Sequence, residues 1–118
     1  MEQNEPQDGY PLYDLRVEVE QAEGVPMICR HHVGDWFTVT DDDLITMGPG
    51  VRFPMYSLAA ILPILPAKQR ELHPNDWMLS DAVIACPDPH CGGRFRIRRL
   101  DRRMQSHAEN SALPTGEQ

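Results

Sequence analysis

The chain has no apolar run long enough to cross a bilayer. Its longest, Leu58–Leu65, is interrupted by Pro63, whereas a spanning helix needs about 20 apolar residues. The first residues are acidic and polar, unlike the basic and then apolar pattern of a secretory leader, so a cytoplasmic location is expected. Three cysteines cannot complete a disulfide framework. In a reducing compartment such thiols are buried, metal-bound or reactive. Positive charge is scarce: 11 Lys and Arg stand against 18 Asp and Glu, a net −7 that argues against nonspecific nucleic-acid binding. The pair Gly92-Gly93 is not followed by Gly-Lys-Ser/Thr, so no phosphate loop is present.

What is present fits one domain within the 118 residues. Residues 1–11 and 104–118 are polar and lack an apolar period. Both are expected as disordered tails, because ordering them would cost entropy with little burial in return. The folded part is then 12–103. In Tyr13–Glu20 apolar and charged residues alternate, with Tyr13, Leu15, Val17 and Val19 on one face and Asp14, Arg16, Glu18 and Glu20 on the other. That is the period of a half-buried strand. Gly34-Asp35 turns into a second strand, Trp36–Thr40. Asp41-Asp42-Asp43 reads as a solvated turn or a helix N-cap rather than a cation site. Met55–Leu65 is the main helix, with Leu58, Ile61, Leu62 and Leu65 on one stripe. Pro54 sits at its first turn and Pro63 should kink or end it, with a short helical turn after it around Lys68–Leu72. Ala82–Cys86 reads as a short buried strand stopped by Pro87. Arg94–Leu100 is the last strand, with Phe95 and Ile97 inward. Trp36, Phe37, Phe53 and Trp77 are expected in the core. The pattern implies an α+β fold: a small, mainly antiparallel sheet of about four strands with one main helix packed on it.

Charge is uneven along the chain. Residues 94–103 hold six arginines against one aspartate, a local excess of five positive charges that leaves −12 on the rest. Pairing the first strand with the last sets Asp14, Glu18 and Glu20 against Arg94, Arg96 and Arg98, and such cross-strand pairs contribute a few tenths of a kcal/mol each. The other reading of Arg96 and Arg98 is a face that binds an anion or an acidic protein partner. Arg99, Arg102 and Arg103 are left over by the ladder.

The order of these features resembles a family of short, uncharacterised bacterial proteins with a Cys-Pro-Asp-Pro signature before the last strand. Here that signature is Cys86-Pro87-Asp88-Pro89, and the strand after it is of the type Phe-x-Ile-x-Arg. His32-Val33-Gly34-Asp35 and the proline-containing helix extend the likeness over about Tyr13–Arg99. The resemblance implies that Cys29 and Cys86 are characteristic positions, and it implies no activity. Many relatives carry a further Cys just before the helix, where this chain reads Val51-Arg52-Phe53-Pro54.

The residues themselves suggest one constellation. Cys86-x4-Cys91 followed by two glycines has the form of a loose metal knuckle, in which a tight loop turns backbone N–H groups towards sulfur. Cys29-x2-His32 has the spacing of a second ligand pair. Cys29, His32, Cys86 and Cys91 would make a Cys3His site, a donor set that suits Zn2+. His31 and His90 are substitute ligands. Sharing an ion requires Cys29 within about 4 Å of Cys86 or Cys91, given zinc–sulfur bonds of about 2.3 Å. Two alternatives stay open. Cys29 and Cys86 can be small buried apolar residues without chemistry. Or one of them is a nucleophilic or redox thiol, with a histidine as base and Asp35 or Asp88 orienting it.

Overall fold

A computed structural model describes residues 8–79 and 83–112. Its frame is a pair of long strands, β1 (Gly9–Gln21) and β5 (Gly93–Ser106), which run antiparallel from Gly9 opposite Ser106 to Gln21 opposite Gly93. β2 (Trp36–Thr40) adds to the other edge of β1, β3 (Leu44–Met47) to β2, and β4 (Val83–Ala85) to β5. The sheet is five-stranded, in the order β3-β2-β1-β5-β4. The fifth strand is β3, which is only four residues long and largely exposed. The three aspartates before it form the turn of the β2–β3 hairpin, with Asp41 at φ 52° and Asp42 at φ 79°. Asp tolerates this left-handed backbone better than most residues.

The charge ladder forms with a twist in its detail. Glu18 lies opposite Arg96 and Glu20 opposite Arg94, yet the ion pair is diagonal, from Arg96 to Glu20 at 2.6 Å. Arg16 faces Arg98, turns instead to Glu18 at 2.9 Å, and covers the Trp36 ring at 4.4 Å. A register shift between Tyr13 and Leu15 interrupts the alternation, so Leu12, Asp14 and Leu15 are all buried. Arg103 reaches Asp14 at 2.6 Å and neutralises that buried carboxylate. Of the other arginines the ladder left over, Arg102 pairs with Glu71 at 2.9 Å and Arg99 donates to the Lys68 carbonyl at 2.8 Å.

The helical segment crosses one face of the sheet in three pieces. α1 (Met55–Ile61) leads into a 3-10 turn at Leu62–Ile64 that contains Pro63, and α2 (Leu65–Gln69) follows. Pro63 therefore interrupts the helix as its missing donor requires. The tightened turn moves the buried stripe: Ser57, Ile61, Leu65, Lys68 and Gln69 face inward, while Leu62, expected inside, is exposed. The core beneath holds Val17, Val19, Phe37, Phe95 and Ile97, all essentially inaccessible to water.

Three expected features differ. β4 is an exposed edge, where the 82–86 run suggests a buried strand; residue 82 lies outside the described residues, and Cys86, just past β4, is the buried position. Trp77 is 66% exposed on a short 3-10 turn, Trp77–Leu79, instead of joining the core. Of the expected tails, residues 1–7 and 113–118 lie outside the described residues. Gly9–Pro11 and Met104–Ser106 extend the two long strands, and a short α3 (His107–Asn110) follows. Ladder hydrogen bonds and the Tyr10 ring, stacked on His107 at 4.1 Å, order this end without an apolar period. Among the described residues no helix is long and apolar enough to cross a membrane.

Ile61 is the main apolar anchor of α1, with no exposed surface. Ile61→Ala is expected to cost about 2–5 kcal/mol of stability, read as a lower urea midpoint at unchanged slope. A loss below about 1 kcal/mol would contradict the packing of this helix on the sheet.

Candidate metal centre

Antiparallel pairing of β1 and β5 puts the segment after Gln21 and the segment before Gly93 at the same end of the sheet. Backbone hydrogen bonds then stitch the two loops together. Ala22 N–H donates to the Gly92 carbonyl and Gly92 N–H to the Pro26 carbonyl, both at 2.8 Å; Cys86 N–H donates to the Gly93 carbonyl at 3.0 Å. Gly92 is required here, because a Cβ at that position would collide with the Val25 carbonyl oxygen. Arg94, assigned by its sequence position to the charge ladder, instead curls back to donate to the Cys91 and Gly93 carbonyls at 3.2 and 2.7 Å.

The three cysteines meet in the stitched loops. Cys29 Sγ lies 2.7 Å from Cys86 Sγ and 2.8 Å from Cys91 Sγ, and all three are free thiols. The distance limit for shared ligation is therefore met. Cys91 is 1% exposed, and its sulfur accepts backbone N–H groups from Ile28 and Cys29 at 3.3 Å and from Gly93 at 3.4 Å. Burial alone would push its thiol up. The hydrogen bonds from the Cys29 thiol and the three amides outweigh it and hold Cys91 below the usual thiol range, which favours the thiolate that a metal needs. Cys29 moves the other way: burial and the two neighbouring sulfurs raise its thiol well above the usual range.

His31 is the histidine brought to this cluster. One of its ring nitrogens lies within 4.8 Å of both the Cys29 and the Cys86 sulfur. The side chain is buried and stands edge-on to Phe53 and Phe95, at ring-centroid distances of 5.2 and 4.8 Å. Nε2 shares a 2.9 Å hydrogen bond with the buried Ser57 hydroxyl. Nδ1 is buried and has no hydrogen-bond partner among the described residues. Burial lowers the His31 pKa, partly opposed by the charge of Asp35, which favours the neutral ring that a metal needs.

The other expected site residues lie elsewhere. His32 is 85% exposed and faces Asp35, whose carboxylate also accepts the His32 N–H at 3.2 Å. Asp35 thus orients a histidine, but His32 lies outside the Cys29–His31–Cys86 group. His90 is exposed on the cysteine loop. Asp88 shapes that loop: its carboxylate accepts the His90 N–H at 2.9 Å and its carbonyl the Cys91 N–H at 3.0 Å. Arg96 is held by Glu20, and Arg98 is exposed on the outer face of β5. The tight Cys-x2-His spacing points to His32, but consecutive residues of an extended segment face opposite ways, and here His31 faces inward. Ser57 is the partner that sequence reading misses. Its signal is its spacing, four residues before Ile61 and eight before Leu65, a polar residue on the buried stripe.

No protein-family model, curated protein or solved structure matches this chain. The chemistry of the cluster therefore rests on its geometry: a Cys29–His31–Cys86 group close enough to bind a metal ion, with a third sulfur in contact.

Gly92→Ala is expected to force the 22–29 and 86–93 loops apart. It should cost about 1–3 kcal/mol, the usual penalty of overpacking, and expose Cys91 to alkylation of the native protein. Unchanged stability with Cys91 still protected would contradict the close approach to Val25.

Proposed function

We propose that this chain is a small cytoplasmic zinc-binding protein in which Cys29, Cys86, Cys91 and His31 hold one structural Zn2+. The observation that carries the reading is the buried Nδ1 of His31, which has no partner among the described residues and belongs to a ring beside the sulfurs. Leaving such an atom unsatisfied costs about 1–3 kcal/mol, and a metal bond removes that cost. Three further features support it. Amide N–H groups already stabilise the Cys91 thiolate. Ser57 on Nε2 is the outer partner that a ligating histidine normally has. Three thiolates and an imidazole are a donor set that favours zinc. Tetrahedral ligation would set the sulfurs nearly 4 Å apart, so the Cys29 sulfur would draw about 1 Å away from those of Cys86 and Cys91 around the ion.

The ion would fasten the loop after β1 to the loop before β5, so its binding energy would act as folding energy. A reactive-thiol reading draws less support. The low-pKa sulfur, Cys91, is sealed from solvent, while Cys29, the more accessible one, has its thiol pKa raised.

Purified without a His tag and kept reduced, the protein is expected to carry about one equivalent of zinc. His31→Gln should weaken zinc binding by about tenfold or more and Ser57→Ala by about tenfold, in competition with a chromophoric chelator. His32→Gln should leave the affinity within about twofold, since its side chain lies outside the cluster. Less than about a tenth of an equivalent of any transition metal would dismiss the reading, as would a larger effect from His32 than from His31.

A further inference from the structure

We infer that the cleft beside Cys29 and Cys86 binds a small organic acid, with Arg30 and Arg52 holding its oxyanion head and Phe53, Pro54, Tyr56 and Pro87 receiving its apolar body. The cleft has a volume of about 540 Å³, within the usual range for small-molecule sites, and its walls are mainly apolar with few polar groups. Among the walls, Tyr56 is 74% exposed, a large surface aromatic beside the half-buried Phe53 and Pro54.

Arg30 and Arg52 line this cleft and also the neighbouring cavity of about 410 Å³ that reaches His31 and Asp35. Among the described residues neither makes an ion pair or hydrogen bond, whereas every other arginine is engaged by an ion pair, a hydrogen bond or another contact. In a chain with 18 acidic residues against 11 basic ones, two cations on one cleft without a carboxylate partner call for an anion from outside. The acid on the cleft wall, Asp88, already accepts the His90 N–H of its own loop. Guanidinium groups offer a planar fork of donors that matches carboxylate and phosphate oxygens. An acid group bound there, with an apolar body lying beside Cys29, fits this division of the cleft into cationic and apolar walls.

The inference goes beyond the zinc assignment and does not depend on it, since neither arginine is a metal ligand and the walls that receive the ligand, Phe53, Pro54, Tyr56 and Pro87, are not ligands either. The test titrates the full-length chain, reduced and as purified, with 3-phenylpropionate, phenyl phosphate and the neutral 3-phenylpropan-1-ol, read by ligand-observed NMR. At least one acid should saturate with a Kd of about 1 mM or tighter, as expected for a ligand of this size. The alcohol should bind at least about tenfold more weakly, having no charge for the forks. Which acid binds better identifies the head group as carboxylate or phosphate. Arg30→Gln and Arg52→Gln should each weaken the acid at least about fivefold, while Arg52→Lys, keeping the charge but losing the fork, should fall in between. Circular dichroism and zinc content report whether each variant keeps its fold. The inference is overturned if neither acid saturates by about 10 mM, if the alcohol binds as tightly as the acids, or if a folded Gln variant at either position binds as the parent does. Any of these results leaves the zinc assignment standing.

Discussion

The pairing of β1 with β5 is the constraint on which the rest depends. Two strands that run antiparallel over their whole length must bring the residues after one and before the other to a common end. Cys29 and Cys91, 62 positions apart in sequence, come within 2.8 Å for that reason. The diagonal Arg96–Glu20 pair and the Arg103–Asp14 pair lie on the same two strands. Partly exposed pairs of this kind contribute only tenths of a kcal/mol to about 1 kcal/mol. They help select which strands pair, and burial of Val17, Val19, Phe95 and Ile97 supplies most of the stability of the paired state.

At the common end, backbone chemistry and side-chain chemistry are layered. Gly92 permits close approach of the loops, the stitched amides fix their path, and the amides left over point at the Cys91 sulfur. His31 enters from the β1–β2 connection and Ser57 from α1, so the cluster draws on the sheet, two loops and the helix at once. A cluster built in this way depends on the whole tertiary structure. Loss of the helix would free the His31 Nε2, and loss of the loop stitching would separate the sulfurs.

Much of this was legible in the chain. The alternation of Tyr13–Glu20 and the arginine-rich Arg94–Leu100 give the two central strands and their opposite charges. Pro63 gives the break in the helix. The three cysteines were expected to converge, and their sulfurs do meet. What was not legible has physical causes. The shift at Tyr13/Leu15 depends on how β5 sits against β1, and no local pattern encodes it. β3 is too short and exposed to show a period. The choice of His31 over His32 turns on which way the chain faces after Cys29, and neighbouring histidines look alike until a tertiary surface exists to receive one of them. Trp77 was expected inside because large aromatics usually are, but it sits 66% exposed on a short 3-10 connection, and the residue type alone does not show which side of such a connection it takes.

In the proposed zinc site the stitched loops present three sulfurs and one imidazole to a single ion. X-ray absorption at the zinc edge of the reduced protein reads that shell. Four-fold coordination by about three sulfur atoms near 2.3 Å and one nitrogen near 2.0–2.1 Å is expected, with the nitrogen contribution lost in His31→Gln. A shell made of oxygen and nitrogen alone, or a nitrogen contribution unchanged by that substitution, would contradict it.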